Sequence, residues 1–234
     1  MTKRPILRIA TIVLVVLATG LATACTGEYN PKSNQANDIA SLWWVMLILA
    51  CAVFAVVIGL AAWALFRPRK GPSTMDKPRS QFAFLLVGGA VIPLLILAAV
   101  FGYSLDVMGH TGSDQSGQLV VHVTGHQWWY DVEYPQQSVS ATNVMYLPAH
   151  RQVKIILNSA DVIHSFWVPE LNGKTDIIPG VTNHLYITDP QPGTYIGHCA
   201  EFCGIGHTAM QIKVVVESQD AFDRWVANQG GKSQ

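Results

Sequence analysis

The chain has 234 residues, half of them hydrophobic and only 13% charged, and its mean hydropathy is positive. That balance weighs against a free cytosolic enzyme and towards attachment to a membrane. The formal net charge is zero, but the residues before Tyr103 hold 9 basic against 3 acidic groups and the rest holds 6 against 12, so a front of +6 precedes a back of −6. No nucleic-acid partner is expected. Four cysteines in so long a chain do not make a disulfide scaffold.

In chain order, the first 25 residues have Lys3, Arg4 and Arg8, a modest apolar run and then small residues, the layout of an export signal. Thr-Ala-Cys at 23–25 resembles a lipoprotein processing site, with Ala22 where leucine is usual. Lipidation of Cys25, cleavage nearby and an uncleaved anchor all remain open at this level. Two charge-free stretches follow, Ile39 to Phe66 and Gln81 to Leu105. Each exceeds the roughly 20 residues that cross a bilayer as a helix. They predict a transmembrane hairpin within residues 26–106, with spans at about 40–66 and 82–105. Trp43, Trp44 and Trp63 fall near the ends of the first span, where aromatic rings prefer the headgroups. Pro93 interrupts the second, which neighbouring helices tolerate. The connection holds Arg67, Arg69, Lys70, Lys77 and Arg79 against Asp76, so the positive-inside rule puts it in the cytoplasm and the C-terminal domain outside, in a bacterial-type membrane. Cys51 lies mid-span and reads as apolar packing.

Residues 107–234 change character. After a Gly/Ser/Asp-rich linker, "LVVHVTGHQWWYDVEY", "NVMYLPAHRQVKIILNS", "NHLYITDP", "GTYIGHC" and "QIKVVVE" read as short strands separated by Pro, Gly, Asn and Asp. A helical stripe appears only in "SQDAFDRWVANQG". Such spacing predicts an all-β Greek-key sandwich or barrel with a short C-terminal helix.

The chemistry concentrates in "GHCAEFCGIGHTAM", residues 197–210, with Cys199, Cys203, His207 and Met210. A Cys199–Cys203 disulfide fits an oxidising compartment but leaves His207 and Met210 without a purpose. Zinc accepts two thiolates and two imidazoles but does not ask for a thioether. Methionine sulfur is soft and suits copper. Two thiolates four residues apart can bridge two copper ions, each capped by one histidine. The second histidine is expected to be His164 in "DVIHSFWVP", at a strand end. His198 would point away, and His110, His122, His126, His150 and His184 are expected at the surface or in local hydrogen bonds.

With "GHQWWY" at 125–130, "DVIHSFWVP" at 161–169, "KTDIIPG" at 174–180 and "HCAEFCGIGHTAM" at 198–210, the sequence resembles subunit II of haem–copper cytochrome c oxidases from Asn37 to Val226. That resemblance implies a cupredoxin-like Greek-key β-barrel behind a two-helix membrane hairpin. It implies a dinuclear copper A centre held by His164, Cys199, Cys203, His207, Met210 and the Glu201 carbonyl. The Glu201 side chain would also reach a magnesium ion at the boundary with subunit I. Trp128 would be the point where electrons from cytochrome c arrive, on their way to haem in subunit I and the reduction of oxygen to water. The partners implied are subunit I, the other oxidase subunits, cytochrome c or a similar donor, and the lipid bilayer. Acidic Asp131, Glu133, Asp161 and Asp176 are candidates for steering a basic donor. The family usually reads Trp-Tyr-Trp where this chain has Trp128-Trp129-Tyr130, its glutamate before the second span has no clear match in "STMDKPRS", and no Cys-x-x-Cys-His haem motif is present. A copper A subunit of a nitric oxide reductase remains an alternative. A metal-free quinol-oxidase subunit would lack the ligands, and a copper carrier would need neither Trp128 nor Glu201.

Overall fold

The computed structural model describes residues 30–68, 78–109 and 118–230. The expected export signal with Cys25, most of the basic connection, the linker up to residue 117 and His110 lie outside the described residues.

Helix α1 (Asn34–Phe66) starts earlier than its apolar run because Ser33 caps it, the Ser33 hydroxyl accepting from the Ala36 N–H at 3.2 Å. Its 33 residues make a rod of about 50 Å, longer than the roughly 30 Å hydrocarbon layer. The surplus lies at the N-terminal end, where the first turn docks on the β domain. The Lys32 N–H donates to Glu170 O at 2.7 Å, and the Asn34 N–H to Thr188 O at 3.0 Å. The Gln35 amide makes a reciprocal pair with Thr188, donating to its hydroxyl and accepting from its N–H, each at 2.8 Å. The Ser33 hydroxyl donates to the Leu171 carbonyl. At the other end Arg67 lies over the Trp63 ring at 4.8 Å, a cation–aromatic contact on the basic side of the span.

The second span comprises α2 (Pro78–Leu86), a π-helical turn (Val87–Val91) and α3 (Ile92–Gly109). Pro93 explains the turn. A proline ring collides with the carbonyl four residues back, here that of Gly89. Widening the preceding turn, so that the Ile92 N–H reaches Val87 O five residues back, relieves the clash without breaking the rod. Both spans hold their apolar side chains outward, with Phe54, Leu65, Phe84, Leu94 and Phe101 all well exposed, as lipid-facing helices do. Both pass as membrane spans by length and composition.

The β domain follows. Strand β1 (Leu119–His126) turns at Gln127–Trp128 into β2 (Trp129–Tyr134). Strands β3 (Val139–Thr142), β4 (Val144–Pro148), β5 (Val153–Ser159), β6 (His164–Phe166), β7 (Thr175–Ile177), β8 (Asn183–Ile187), β9 (Gly193–His198) and β10 (Gln211–Glu217) precede helix α4 (Gln219–Gly230). One sheet has the order β3-β2-β1-β5-β8 and another β4-β10-β9, while β6 and β7 pair with each other. The β1–β5 and β4–β10 pairs are parallel and the others antiparallel. Such crossing between sheets is the cupredoxin-like β domain expected from the sequence.

Alternation explains the core. Leu119, Val121 and Val123 of β1 face inward with Val132, Ile155, Leu157 and Ile187, and meet Met145, Leu147, Ile212 and Val214 of the second sheet. Each such side chain contributes about 1.5–3 kcal/mol when fully buried. Helix α4 closes one end, Phe222 and Trp225 packing on Tyr134, and Trp225 stacking on Tyr146 at 4.4 Å.

Replacing Gln35 with Ala leaves the Thr188 N–H and hydroxyl without their partner, a loss of about 1–3 kcal/mol at the junction. Hydrogen exchange at the Thr188 amide is expected to accelerate in Gln35→Ala. Unchanged protection would mean that Gln35 does not hold the anchor to the β domain.

Candidate metal centre

The loop 199–210 joins β9 to β10, and the ladder between those strands sets its ends. His198 pairs with Gln211, and one step further the Cys199 N–H donates to Met210 O at 3.1 Å. A 3₁₀ turn (His207–Ala209) brings the chain back. Within this closed loop the Cys199 and Cys203 sulfurs lie 3.8 Å apart, both thiols free and buried. The Met210 sulfur is 3.8 Å from Cys203 Sγ, and His207 Nδ1 is 3.7 Å from the same atom. The Glu201 carbonyl oxygen is 3.1 Å from Cys199 Sγ. The disulfide alternative is therefore not the arrangement adopted.

His164 arrives from β6. Its ring is wholly buried, and with the two sulfurs it forms a group whose ligand atoms all lie within 4.8 Å of one another. A Cβ at position 125 would sit 3.0 Å from His164 Cδ2, so Gly125 is what lets the ring lie flush against β1. His164 Nε2 bonds Asp161 Oδ1 at 2.7 Å, and Nδ1 has no partner among the described residues. An ionised carboxylate only accepts, so Nε2 carries the hydrogen and Nδ1 presents a bare lone pair. A buried acceptor without a donor is costly. A metal ion on Nδ1 removes that cost, and the carboxylate behind the ring is the usual support of a metal-bound histidine.

The donor set tests which metal fits. Two thiolates, two imidazoles, a thioether and a carbonyl exceed the four ligands of a structural zinc site. The buried thioether and paired thiolates are soft donors, suited to copper. Burial, and then the neighbouring Cys199, push the Cys203 thiol up to about 12. At neutral pH it holds its proton until a cation displaces it. At Asp161, burial alone would raise the carboxyl, but the bonds from His164 and from the Val162 and Gln127 N–H groups prevail and hold it below the usual range.

Trp128 occupies the tip of the β1–β2 hairpin, 39% exposed. Its Nε1–H donates to Cys203 O at 3.2 Å, and the Gln127 side-chain amide donates to the same oxygen at 2.8 Å. The indole lies on Gly206, where a Cβ would come within 2.4 Å of the ring. Trp129 is also exposed and stacks on His126 at 4.7 Å, while Tyr130 is wholly buried. The inverted aromatic pair thus points Trp129 outward and Tyr130 into the core.

The expected site residues His164, Cys199, Cys203, His207, Met210 and the Glu201 carbonyl come together. The Glu201 carboxylate is paired with Lys174 at 2.9 Å, and Lys174 also meets Asp176 at 3.1 Å. Of the acids expected to steer a donor, Asp161 instead supports His164, and Asp131 bonds His126 at 3.2 Å. The remaining described histidines behave as expected: His198 is exposed, and His150 bonds Asp189 at 2.8 Å. Sequence reasoning named Asp161 only as a steering charge and missed its support of His164, and it missed Gln127 and Gly206. The Asp-x-x-His spacing in "DVIH" was the available signal for the first.

A family model described as cytochrome c oxidase subunit II, periplasmic domain, matches residues 137–219. The cytochrome c oxidase subunit 2 of Alkalihalophilus pseudofirmus is 32% identical over 222 residues, which are 87% of this chain and 64% of that protein. The chain thus spans a little under two thirds of that relative's length. The probable cytochrome c oxidase subunit 2 of Streptomyces coelicolor is 28% identical over 94% of this chain and 85% of its own length. Among solved structures, the periplasmic domain of subunit II of the Bradyrhizobium japonicum cytochrome oxidase is 27% identical, with a TM-score of 0.49, over 51% of this chain and 99% of that one.

Two outcomes are expected of the site. Asp161→Asn removes the charged support of His164 and lowers metal affinity about 10–100-fold, read by competition with a copper chelator. Unchanged affinity would remove Asp161 from the centre. Because the buried thiols must give up protons to bind, apparent copper affinity rises as pH is raised through neutrality. A pH-independent affinity would contradict thiolate ligation.

Proposed function

We propose that this chain, similar over most of its length to subunit 2 of cytochrome c oxidases, is the subunit through which electrons enter a terminal haem–copper oxidase. It receives them from cytochrome c or a similar donor and delivers them to haem in subunit I, where oxygen is reduced to water. As part of that complex it is an oxidoreductase subunit, and by itself an electron carrier. In this reading residues 1–25 direct export, 26–106 form the membrane hairpin, and 107–234 form the domain on the outer face.

The observation that carries the reading is the wholly buried His164 Nδ1, without a partner and grouped with two free thiols. His164, Cys199, Cys203, His207, Met210 and the Glu201 carbonyl would hold two copper ions. Bound there, copper supplies a one-electron store spread over paired sulfur ligands. The protein contributes rigidity: β6 and the β9–β10 loop fix the ligands before any ion arrives, so little rearrangement accompanies a change of charge. Trp128 is partly exposed to solvent and bonds directly to the Cys203 backbone, a short contact path from the surface to a ligand residue. The acidic back half of the chain favours a basic donor. The Glu201 carboxylate, beside the cluster and exposed on its other side, is the proposed magnesium ligand at the boundary with subunit I. Lys174, which pairs with that carboxylate, would compete with the ion for it.

Electron paramagnetic resonance of the copper-loaded chain is expected to give one mixed-valence signal shared by two copper nuclei. A single-copper spectrum, or zinc alone on metal analysis, would end the proposal. Trp128→Ala is expected to leave that signal intact and to slow reduction by cytochrome c, and the wild-type rate is expected to fall with rising salt. Equal rates for the two proteins would take Trp128 off the path.

A further inference from the structure

One buried residue beside the metal ligands has a role that neither the ligand set nor the electron path requires. Tyr130 is wholly buried. Its backbone is gripped from both sides by Asn143: the Tyr130 N–H donates to Asn143 Oδ1 at 2.8 Å, and the Asn143 N–H donates to Tyr130 O at 2.9 Å. Asn143 in turn accepts from the Lys213 N–H of β10 at 2.9 Å, so this grip ties the two large sheets together. From that fixed base the ring runs edge-on to Phe166, at 6.4 Å between centroids. Its hydroxyl donates to the Ser165 carbonyl at 2.6 Å.

Ser165 is the neighbour of His164 and is itself wholly buried. Its own hydroxyl accepts from the Ala200 N–H at 2.6 Å, and Ala200 is the neighbour of Cys199. Two short bonds through one serine therefore lock the histidine strand to the cysteine loop.

We propose that Tyr130 is a positioning residue of the metal centre, whose hydroxyl fixes Ser165 between His164 and Cys199. The proposal rests on the copper reading above. Without that hydroxyl the Ser165 carbonyl loses its donor, and the stretch that joins His164 to the cysteine loop loses its tie to β2. The inversion of Trp129 and Tyr130 relative to the family's usual Trp-Tyr-Trp is what places a hydroxyl at this point.

The test uses the full-length chain with Tyr130→Phe, and Tyr134→Phe as control. Tyr134 is an equally buried tyrosine whose hydroxyl bonds the Tyr146 backbone instead. Tyr130→Phe is expected to keep its two copper ions while the copper hyperfine splitting of its mixed-valence signal shifts, and Tyr134→Phe to keep the wild-type splitting. An unchanged splitting in Tyr130→Phe overturns the proposal, as does an equal shift in Tyr134→Phe. In the copper-free chain, Tyr130→Phe is expected to speed alkylation of Cys199 by iodoacetamide, because the loop is no longer locked. Ser165→Ala, which cuts the bond to Ala200, is expected to do the same. Wild-type alkylation rates in both variants overturn the proposal. If the wild-type chain takes up no copper pair, the copper reading fails, and the alkylation rates still decide the role of Tyr130.

Discussion

Two sulfur atoms held 3.8 Å apart in a closed loop, without bonding to each other, set the terms for everything around them. Burial, and then the neighbouring sulfur, push the Cys203 thiol up, so it keeps its proton at neutral pH. Such a site is poised for a cation that can replace the protons and draw both sulfurs to itself. The loop does not create this spacing alone. Its ends are pinned by the β9–β10 ladder and the Cys199–Met210 backbone bond, and Trp167 bonds the His198 N–H from β6 at 2.9 Å. The candidate metal ligands thus sit where strand register, rather than loop conformation, decides their places.

The same strand connects the centre to the membrane. Strand β6 carries His164, and the segment that follows it supplies the Glu170 and Leu171 carbonyls that receive Lys32 and Ser33 at the outer end of α1. The anchor helix and the ligand histidine therefore share one short stretch of backbone. This fixes the height of the centre above the bilayer through a few hydrogen bonds. A flexible tether would satisfy the hydropathy pattern equally well but would leave the distance to any membrane-embedded acceptor undefined.

Around the centre, polar groups are used locally before they serve any longer-range field. Asp161 holds a ring nitrogen, Asp131 a histidine, and Asp176 and Glu201 share Lys174. The surplus of acidic over basic groups after Tyr103 survives this pairing as a sum, since Lys174 is already counted in it. The local bonds orient, and the net charge acts at a distance.

The two apolar spans, the β character of the C-terminal half and the cluster from Cys199 to Met210 were legible in the sequence, because each is a local pattern: run length, alternation or ligand spacing within one loop. His164 could be named from its motif. That its Nε2 faces Asp161 and its Nδ1 is left bare depends on how β6 lies against β1 at Gly125, and only packing decides that. The start of α1 at Asn34, five residues before its charge-free run, was set by contacts with Glu170, Leu171 and Thr188, more than 130 positions along the chain. Likewise, the order Trp-Trp-Tyr was plain to read, but which ring faces solvent and which reaches Ser165 follows from strand alternation once the hairpin turns at Gln127–Trp128. Sequence spacing carries what neighbours along the chain do to one another. Contacts between distant segments depend on the shape of the whole, and that exists only after folding.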